Sequence, residues 1–166
     1  MKLKALVKDR NATGLESAGD IEIKGLSADS RRVGPGFLFA ALPGSSTDGA
    51  KFAADAAARG AVAVLAPRGA ISTAEIPVIE VDDARLGLAH AAAAFYARQP
   101  KFIAAVTGTN GKSSTVDFLR QIWAFSGKSA ASMGTLGAIG PFGAVDLGHT
   151  TPDPVAIHAT LARLFD

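Results

Sequence analysis

The sequence predicts an α/β fold in two parts: a small α/β domain over residues 1–98, then from residue 99 to 166 the start of a parallel-sheet domain organised around a phosphate-binding loop. Three observations carry this prediction. Short β-branched or apolar runs alternate with alanine-rich helical stretches through the first part. The polar, proline-containing Arg98-Gln-Pro-Lys101 breaks that pattern and marks the domain boundary. Directly after it, Phe102-Ile-Ala-Ala-Val-Thr-Gly-Thr-Asn-Gly-Lys-Ser-Ser-Thr115 has the order apolar strand, glycine loop, helix.

In the first part, Lys2–Val7 reads as a short amphipathic helix, and Ile21-Glu-Ile-Lys24 alternates as a half-buried strand does. Leu26–Gly36 is polar and glycine-rich and reads as a connection whose short side chains form turns. Phe37–Leu42 follows as a buried strand and Pro43–Gly49 as a loop. Ala50–Arg59 is an alanine-rich helix stopped by Gly60, which takes a left-handed conformation without a Cβ penalty. Ala61–Leu65 is a strand that breaks at Pro67, and Pro77–Val81 is a second one after a loop-like stretch. Asp82-Asp83 offers an acidic N-cap to a helix over Ala84–Ala97, in which Leu86, Ala89/His90, Ala93 and Tyr96 share a face. His90 has no partner visible in the sequence and reads as a packing or surface residue.

In the second part, Phe102–Val106 is the strand that leads into the loop, and Ser113–Phe125 carries Val116, Leu119 and Ile122/Trp123 at helical spacing. Gly127 ends that helix and Lys128–Met133 reads as the next strand, so strand, helix and strand predict a right-handed parallel crossover. Gly134–Gly148 is glycine-rich and loop-like, with a hairpin around Pro141. Thr151 or Asp153 caps a closing helix over Val155–Phe165, with Pro154 in its first turn. A parallel sheet that has only begun has too little to cover it, so the 166 residues are expected to be the front part of a longer protein.

The glycine loop has a definite chemistry. A polyphosphate needs several backbone N–H groups aimed at it, and glycine lets the main chain curl around it. The helix beginning near Ser113 adds its N-terminal dipole. Lys112 places an ammonium against the outer phosphates, and the Ser113 hydroxyl is the candidate ligand for a bridging magnesium. The general pattern G-x-x-x-x-G-K-[ST] fails at its first glycine, where this chain has Val106, while Gly111-Lys-Ser113 survives. A plain glycine turn is the other reading of this stretch; glycines, lysine and serine at the end of an apolar strand favour a nucleotide.

Composition narrows the remaining classes. Hydrophobic residues make up 48% of the chain, enough for a packed core. The charges, 17 Lys+Arg against 15 Asp+Glu, are scattered without a basic run, which gives nucleic-acid binding no support. There are no cysteines, so disulfides and thiolate metal sites are excluded. Residues 1–10 lack the uninterrupted apolar core of a signal peptide, and no segment is apolar enough for membrane insertion, so a cytoplasmic location is the expectation. Nothing in the sequence sets an oligomeric state.

Three separated stretches resemble one family. Thr107-Gly-Thr-Asn-Gly-Lys-Ser113 resembles the ATP-binding loop T-G-T-N-G-K-[ST] of the Mur ligase and folylpolyglutamate synthetase superfamily, a pattern that accounts for the missing first glycine. Asp29-Ser-Arg31, Val33-Gly-Pro-Gly-Phe-Leu-Phe-Ala-Ala-Leu-Pro-Gly44 and Asp48-Gly49 resemble the UDP-sugar-binding N-terminal domain of Mur ligases, which folylpolyglutamate synthetases lack. Ser132-Met-Gly-Thr-Leu-Gly137 and Thr150-Thr-Pro-Asp-Pro154 are similar to the MurE-type branch rather than the MurF type.

The resemblance implies an ATP- and magnesium-dependent ligase of peptidoglycan precursor synthesis. Such an enzyme adds a diamino acid, meso-diaminopimelate or lysine, to UDP-N-acetylmuramoyl-L-alanyl-D-glutamate through an acyl phosphate. It implies that Gly108, Thr109, Asn110, Gly111, Lys112, Ser113 and Ser114 hold ATP, with Lys112 catalytic and Ser113 on the metal. Ala28 and Ser30 would lie near the uridine, and Thr150 and Thr151 would hold the muramoyl-peptide end. Where the family often has His-Gln-Ala, this chain has Ser45-Ser46-Thr47, so hydroxyls would have to contact the diphosphate there. The family's catalytic glutamate, magnesium-binding histidine and carbamylated lysine lie further along than residue 166, so these residues alone are expected to be inactive. A MurF-type ligase and a non-catalytic UDP-sugar-binding module are the alternatives; a generic P-loop kinase or GTPase leaves residues 1–98 unexplained.

Overall fold

The computed structural model describes residues 1–44, 48–147 and 153–165, which divide into two compact units, Met1–Phe95 and Tyr96–Asp166. The first is built on a parallel sheet. Its elements in order are helices α1 (Leu3–Leu6) and α2 (Leu15–Ala18), strands β1 (Gly25–Ser27) and β2 (Phe37–Ala40), helix α3 (Ala53–Ala58), strands β3 (Ala61–Pro67) and β4 (Val78–Val81), and helix α4 (Ala84–Tyr96). The strands lie side by side in the order β1-β2-β3-β4, every neighbouring pair parallel. Single 3-10 turns at Ser30–Arg32 and Gly49–Phe52 start the two crossovers that carry the chain from β1 to β2 and from β2 to β3.

Burial on both faces explains the composition of these strands. Leu38, Phe39 and Ala40 of β2 and Ala63, Val64, Leu65 and Ala66 of β3 are all buried, as a parallel sheet covered on two sides requires. On one face Phe39, Ala41, Val64 and Ala66 pack with Ala53 and Ala56 of α3 and with Val33. One residue, Val62, is left over where Phe37 pairs with Ala61 but Leu38 with Ala63, and this irregularity puts Ala61 and Val64 on the same side. Against the sheet, α4 comes so close at Gly87 that an added Cβ would lie 3.2 Å from the Leu65 side chain. The buried stripe of α4 is Ala84, Leu88, Ala91 and Ala92.

Several expectations hold. Both 3-10 and α-helical turns fill 49–58, Gly60 has a φ of 102°, and Asp83 accepts from Arg85 N and Leu86 N at the start of α4. Others are corrected. Ile21–Lys24 forms no strand beyond a single bridge from Glu22 to Lys2; the ladder begins at Gly25, because it is Gly25–Ser27 that lies beside β2. The stripe expected on α4 is rotated: Leu86 is 53% exposed, while Leu88 is buried among the small side chains of Ala84, Ala91 and Ala92. The sequence reading also misses α2.

The free edge of β4 is blunted by the N-terminal segment. Thr13 and Glu80 exchange both backbone hydrogen bonds, and the Glu80 carboxylate accepts from Thr13 Oγ1 and Gly69 N. Arg68 donates to Asp82 at 2.7 Å and to the Asn11 carbonyl, while Asp9 accepts from Asp82 N. Covering a strand edge in this way removes a template for pairing with other chains.

The second unit holds α5 (Lys112–Phe125), strands β5 (Ser132–Gly134), β6 (Gly137–Gly140) and β7 (Gly143–Val145), and helix α6 (Pro154–Phe165). The three strands form an antiparallel meander. The hairpin expected around Pro141 is therefore present, and Asp153 caps α6 by accepting from Ala156 N at 2.9 Å. Two further expectations are corrected. No ladder forms over Phe102–Val106: none of the described residues pairs with it, Phe102 and Ile103 are 69% and 54% exposed, and β-propensity without an adjacent strand does not hold a strand. Lys128–Met133 gives no parallel crossover, because the two-residue turn Thr135-Leu136 folds β5 back onto β6; the turn is closed by Gly137, whose φ of 82° suits glycine alone.

Two outcomes follow. Leu88→Ala should cost about 2–5 kcal/mol in chemical denaturation, whereas Leu86→Ala should stay within roughly 0.5 kcal/mol. The carboxyls of Glu80, held down by Gly69 N and then Thr13, and Asp82, held down by Arg68 and then Asn11, lie below their ordinary values. Their contribution is thus present above the unfolded values, 4.5 and 3.8, and fades as pH falls through the lower folded ones. The melting-temperature deficit of Arg68→Ala should accordingly be larger at neutral pH than below about pH 3.

Candidate functional site

Each unit contributes candidate residues. In the second unit, the loop preceding α5 lies open: Thr107 to Lys112 are all exposed. Gly108 and Gly111 have φ values of 148° and 79°, and a Cβ at Gly111 would meet nothing within 4 Å, so backbone conformation rather than crowding is what calls for glycine there. Gly111 is the N-cap of α5 and brings no side chain to it, and the first carbonyl-paired amide after it is Thr115 N, bonded to Gly111 O at 2.9 Å. The amides of Lys112, Ser113 and Ser114 are those a helix leaves unpaired at its start, and the helix dipole adds to their attraction for an anion.

Lys112 reaches back over the loop. Its ammonium donates to the carbonyls of Gly108 and Thr109, the second at 3.1 Å. The positive charge is thereby held within the loop that leads into α5. Ser113 is half-buried and its Oγ lies 2.7 Å from Oγ1 of Thr135, in the β5–β6 turn. Asp117, one turn further along α5, is engaged by Arg120 and Gln121, which hold its carboxyl below the usual carboxylate range. The predicted loop residues 108–114 are thus brought together at one helix end. Thr135 was missed as a member of this group; its only sequence signal is the short polar residue in the Gly-Thr-Leu-Gly turn.

In the first unit, the candidates sit at the carboxyl ends of β1 and β2, where crevices of parallel sheets open. Ser27 is buried, and its hydroxyl accepts from Asp29 N at 3.0 Å and donates to Asp29 O at 2.8 Å. Asp29 accepts from Arg31 N and binds its guanidinium at 2.9 and 2.7 Å, a contact that keeps the Asp29 carboxyl low. Ala28 is half-buried between them and Ser30 is 7% exposed. Ser30, and after it Arg59, lower the Asp55 carboxyl on α3, so the Ser30 side chain ties this turn to the neighbouring helix.

The loop after β2 is drawn together at its mouth. Pro43 and Asp48 form an isolated bridge, Asp48 accepts from Ala50 N, and Gly49 N donates to Leu42 O. A Cβ at Gly49 would stand 2.6 Å from Leu42 O, which is why Asp48 is followed by glycine. Arg85 of α4 donates to Pro43 O at 2.6 Å and braces the same loop. Ser45, Ser46 and Thr47 within it, and Thr150 and Thr151 in the second unit, lie outside the described residues. Among the described residues no group of three His, Asp or Glu side chains is arranged to hold a metal, and no helix is long and apolar enough to cross a membrane.

Comparison with known proteins identifies the family. Residues 22–96 match the model described as Mur ligase family, catalytic domain, and residues 106–166 match the Mur ligase middle domain. A UDP-N-acetylmuramoyl-L-alanyl-D-glutamate--2,6-diaminopimelate ligase of Brucella melitensis is 52% identical over 165 residues, 99% of this chain and 34% of that protein. The protein of the same name from Caulobacter vibrioides is 49% identical over 155 residues, 90% of this chain and 32% of its own. The chain spans about a third of the length of the curated relatives it matches. Among solved structures, one of a ligase with this name superposes with a TM-score of 0.78 at 24% identity, covering 99% of this chain and 33% of the other. The MurF ligase of Thermotoga maritima in complex with ADP gives 0.56 at 23%, covering 83% and 29%. With two family models matched in succession and half the residues shared with named members, the chain belongs to the Mur ligase family.

Proposed function

We propose that this chain supplies the UDP-substrate-gripping domain and the ATP loop of a ligase that joins 2,6-diaminopimelate to UDP-N-acetylmuramoyl-L-alanyl-D-glutamate at the expense of ATP, in the bacterial cytoplasm. The observation that carries the proposal is the identity of about half the residues, over nearly the whole chain, to proteins bearing that name. The wider structural likeness to the diaminopimelate ligase than to MurF supports the same branch at the level of fold. Residues 1–98 are read as the UDP-substrate domain, and 99–166 as the beginning of the ATP-binding domain.

The chemistry asked of these residues is positioning and charge neutralisation. A carboxylate is a poor acyl donor, and phosphorylation gives it a leaving group that an amine can displace. In phosphoryl transfer the protein does little covalent work; it holds the phosphates and stabilises the charge that spreads over them. The exposed amides at the start of α5 suit the nucleotide phosphates, with Gly108, Thr109, Asn110 and Gly111 shaping the loop and Ser114 beside it. Lys112 exchanges its carbonyl partners for phosphate oxygens and neutralises charge where it develops. Magnesium is a hard cation that takes oxygen ligands, and the Ser113 hydroxyl together with nucleotide oxygens is a donor set of that kind. Held there, magnesium would supply positive charge to offset that of the phosphates.

In the first unit, the turn at Ala28 and Ser30 and the loop holding Ser45, Ser46 and Thr47 are assigned to the uridine diphosphate. Thr150 and Thr151 are assigned to the muramoyl-peptide end. A lone UDP-sugar-binding module would leave the phosphate loop without a task.

In the intact protein, phosphate release from ATP should require both the UDP-linked dipeptide and diaminopimelate. Lys112→Ala should lower kcat by roughly 10²- to 10³-fold while leaving calorimetric binding of the UDP-linked dipeptide unchanged. Near-normal turnover in that variant would refute the role of Lys112, and turnover only with a different acceptor amine would move the protein to another branch of the family.

A further inference from the structure

We infer that Thr135 is a positioning residue for the metal ligand Ser113: its hydroxyl oxygen accepts the hydrogen bond that Ser113 donates, so that a Ser113 lone pair faces the magnesium. The inference rests on the ATP- and magnesium-binding reading of the loop. The observation behind it is the 2.7 Å contact between Ser113 Oγ and Thr135 Oγ1, which joins the first turn of α5 to the β5–β6 turn.

A serine hydroxyl has one proton and two lone pairs. If the oxygen is to bind a cation, the proton must point away from it, and an acceptor must be waiting on that side. Asp117 is the nearest acidic residue along α5, but its carboxylate is held by Arg120 and Gln121. Thr135 Oγ1 is the acceptor found at hydrogen-bond distance. Without a cation either hydroxyl can donate; with one, repulsion between metal and proton fixes Ser113 as the donor.

The turn presents Thr135 firmly. Gly134 and Gly137 pair across it, and Gly137 is buried in a left-handed conformation where a Cβ would come within 2.2 Å of Val145 O. Threonine is β-branched, which restricts χ1, and the contact with Ser113 Oγ marks the rotamer that faces α5. Outer-shell hydrogen bonds of this kind orient metal ligands, and their loss commonly costs 10–100-fold in metal affinity.

The test is titration of the intact protein with a fluorescent ATP analogue, first in chelator and then at rising magnesium. Thr135→Val, which keeps the shape and removes the hydroxyl, should leave metal-free nucleotide binding as it was and raise the magnesium concentration for half-saturation about tenfold. Thr135→Ser should restore it. Ser113→Ala should raise the magnesium requirement by itself, and adding Thr135→Val to it should change little, because the two act as a unit. An unchanged magnesium requirement in Thr135→Val overturns the inference, as does an equal loss of metal-free and metal-loaded binding, which would mean a merely structural role. Failure of the unaltered protein to bind the analogue at all overturns the nucleotide reading itself.

Discussion

The first unit depends on one constraint: a four-stranded parallel sheet must be covered on both faces before its short strands are worth forming. Strands of three to seven residues have little stability alone. Phe39, Val64 and Ala66 fill one side with α3, and Leu38, Leu65, Ile79 and Val81 are sealed on the other. Because every strand runs the same way, the carboxyl ends fall along one edge. The turn at Ala28–Ser30, the loop beginning at Pro43 and the Arg85 that braces it all take their places from that alignment. The candidate substrate residues are thus products of strand direction and only secondarily of their own chemistry.

The phosphate loop shows the complementary situation. Among the described residues Phe102–Val106 forms no ladder, and the contacts that shape the loop after it are local. Left-handed Gly111, the bond from Thr115 N to Gly111 O, and the Lys112 contacts are all local to the loop and helix start. Local hydrogen bonding and glycine backbone freedom thus set the shape of the loop.

This difference also explains what the sequence could and could not reveal. Features set by neighbouring residues were legible: the Asp83 cap, the stop at Gly60, the helix after Gly111, the Asp153 cap and the turn at Pro141. Features set by partners distant in sequence were not. Whether Ile21–Lys24 or Gly25–Ser27 becomes the strand is decided by which one lies beside β2, and apolar character favours neither. The buried stripe of α4 is chosen by close approach at Gly87, so the bulky Leu86 ends outside while alanines go in. Thr135 joins Ser113 only because two glycines reverse the chain between β5 and β6, a pairing no periodicity encodes.

The position of Lys112 bears on how such a loop exchanges its ligand. A lysine ammonium left without acceptors loses hydrogen bonds that water or protein must replace. Here the Gly108 and Thr109 carbonyls serve that purpose, within the same few residues that would surround a phosphate. On the proposed reading, nucleotide binding would swap neutral carbonyl acceptors for charged phosphate oxygens, and charge-assisted bonds are the stronger. The side chain needs little reorganisation for the swap, because it already lies folded over the loop. Substituting arginine would not preserve this arrangement: a guanidinium presents its donors in a fixed planar fork, whereas a compact ammonium can turn a donor to each of the two carbonyls.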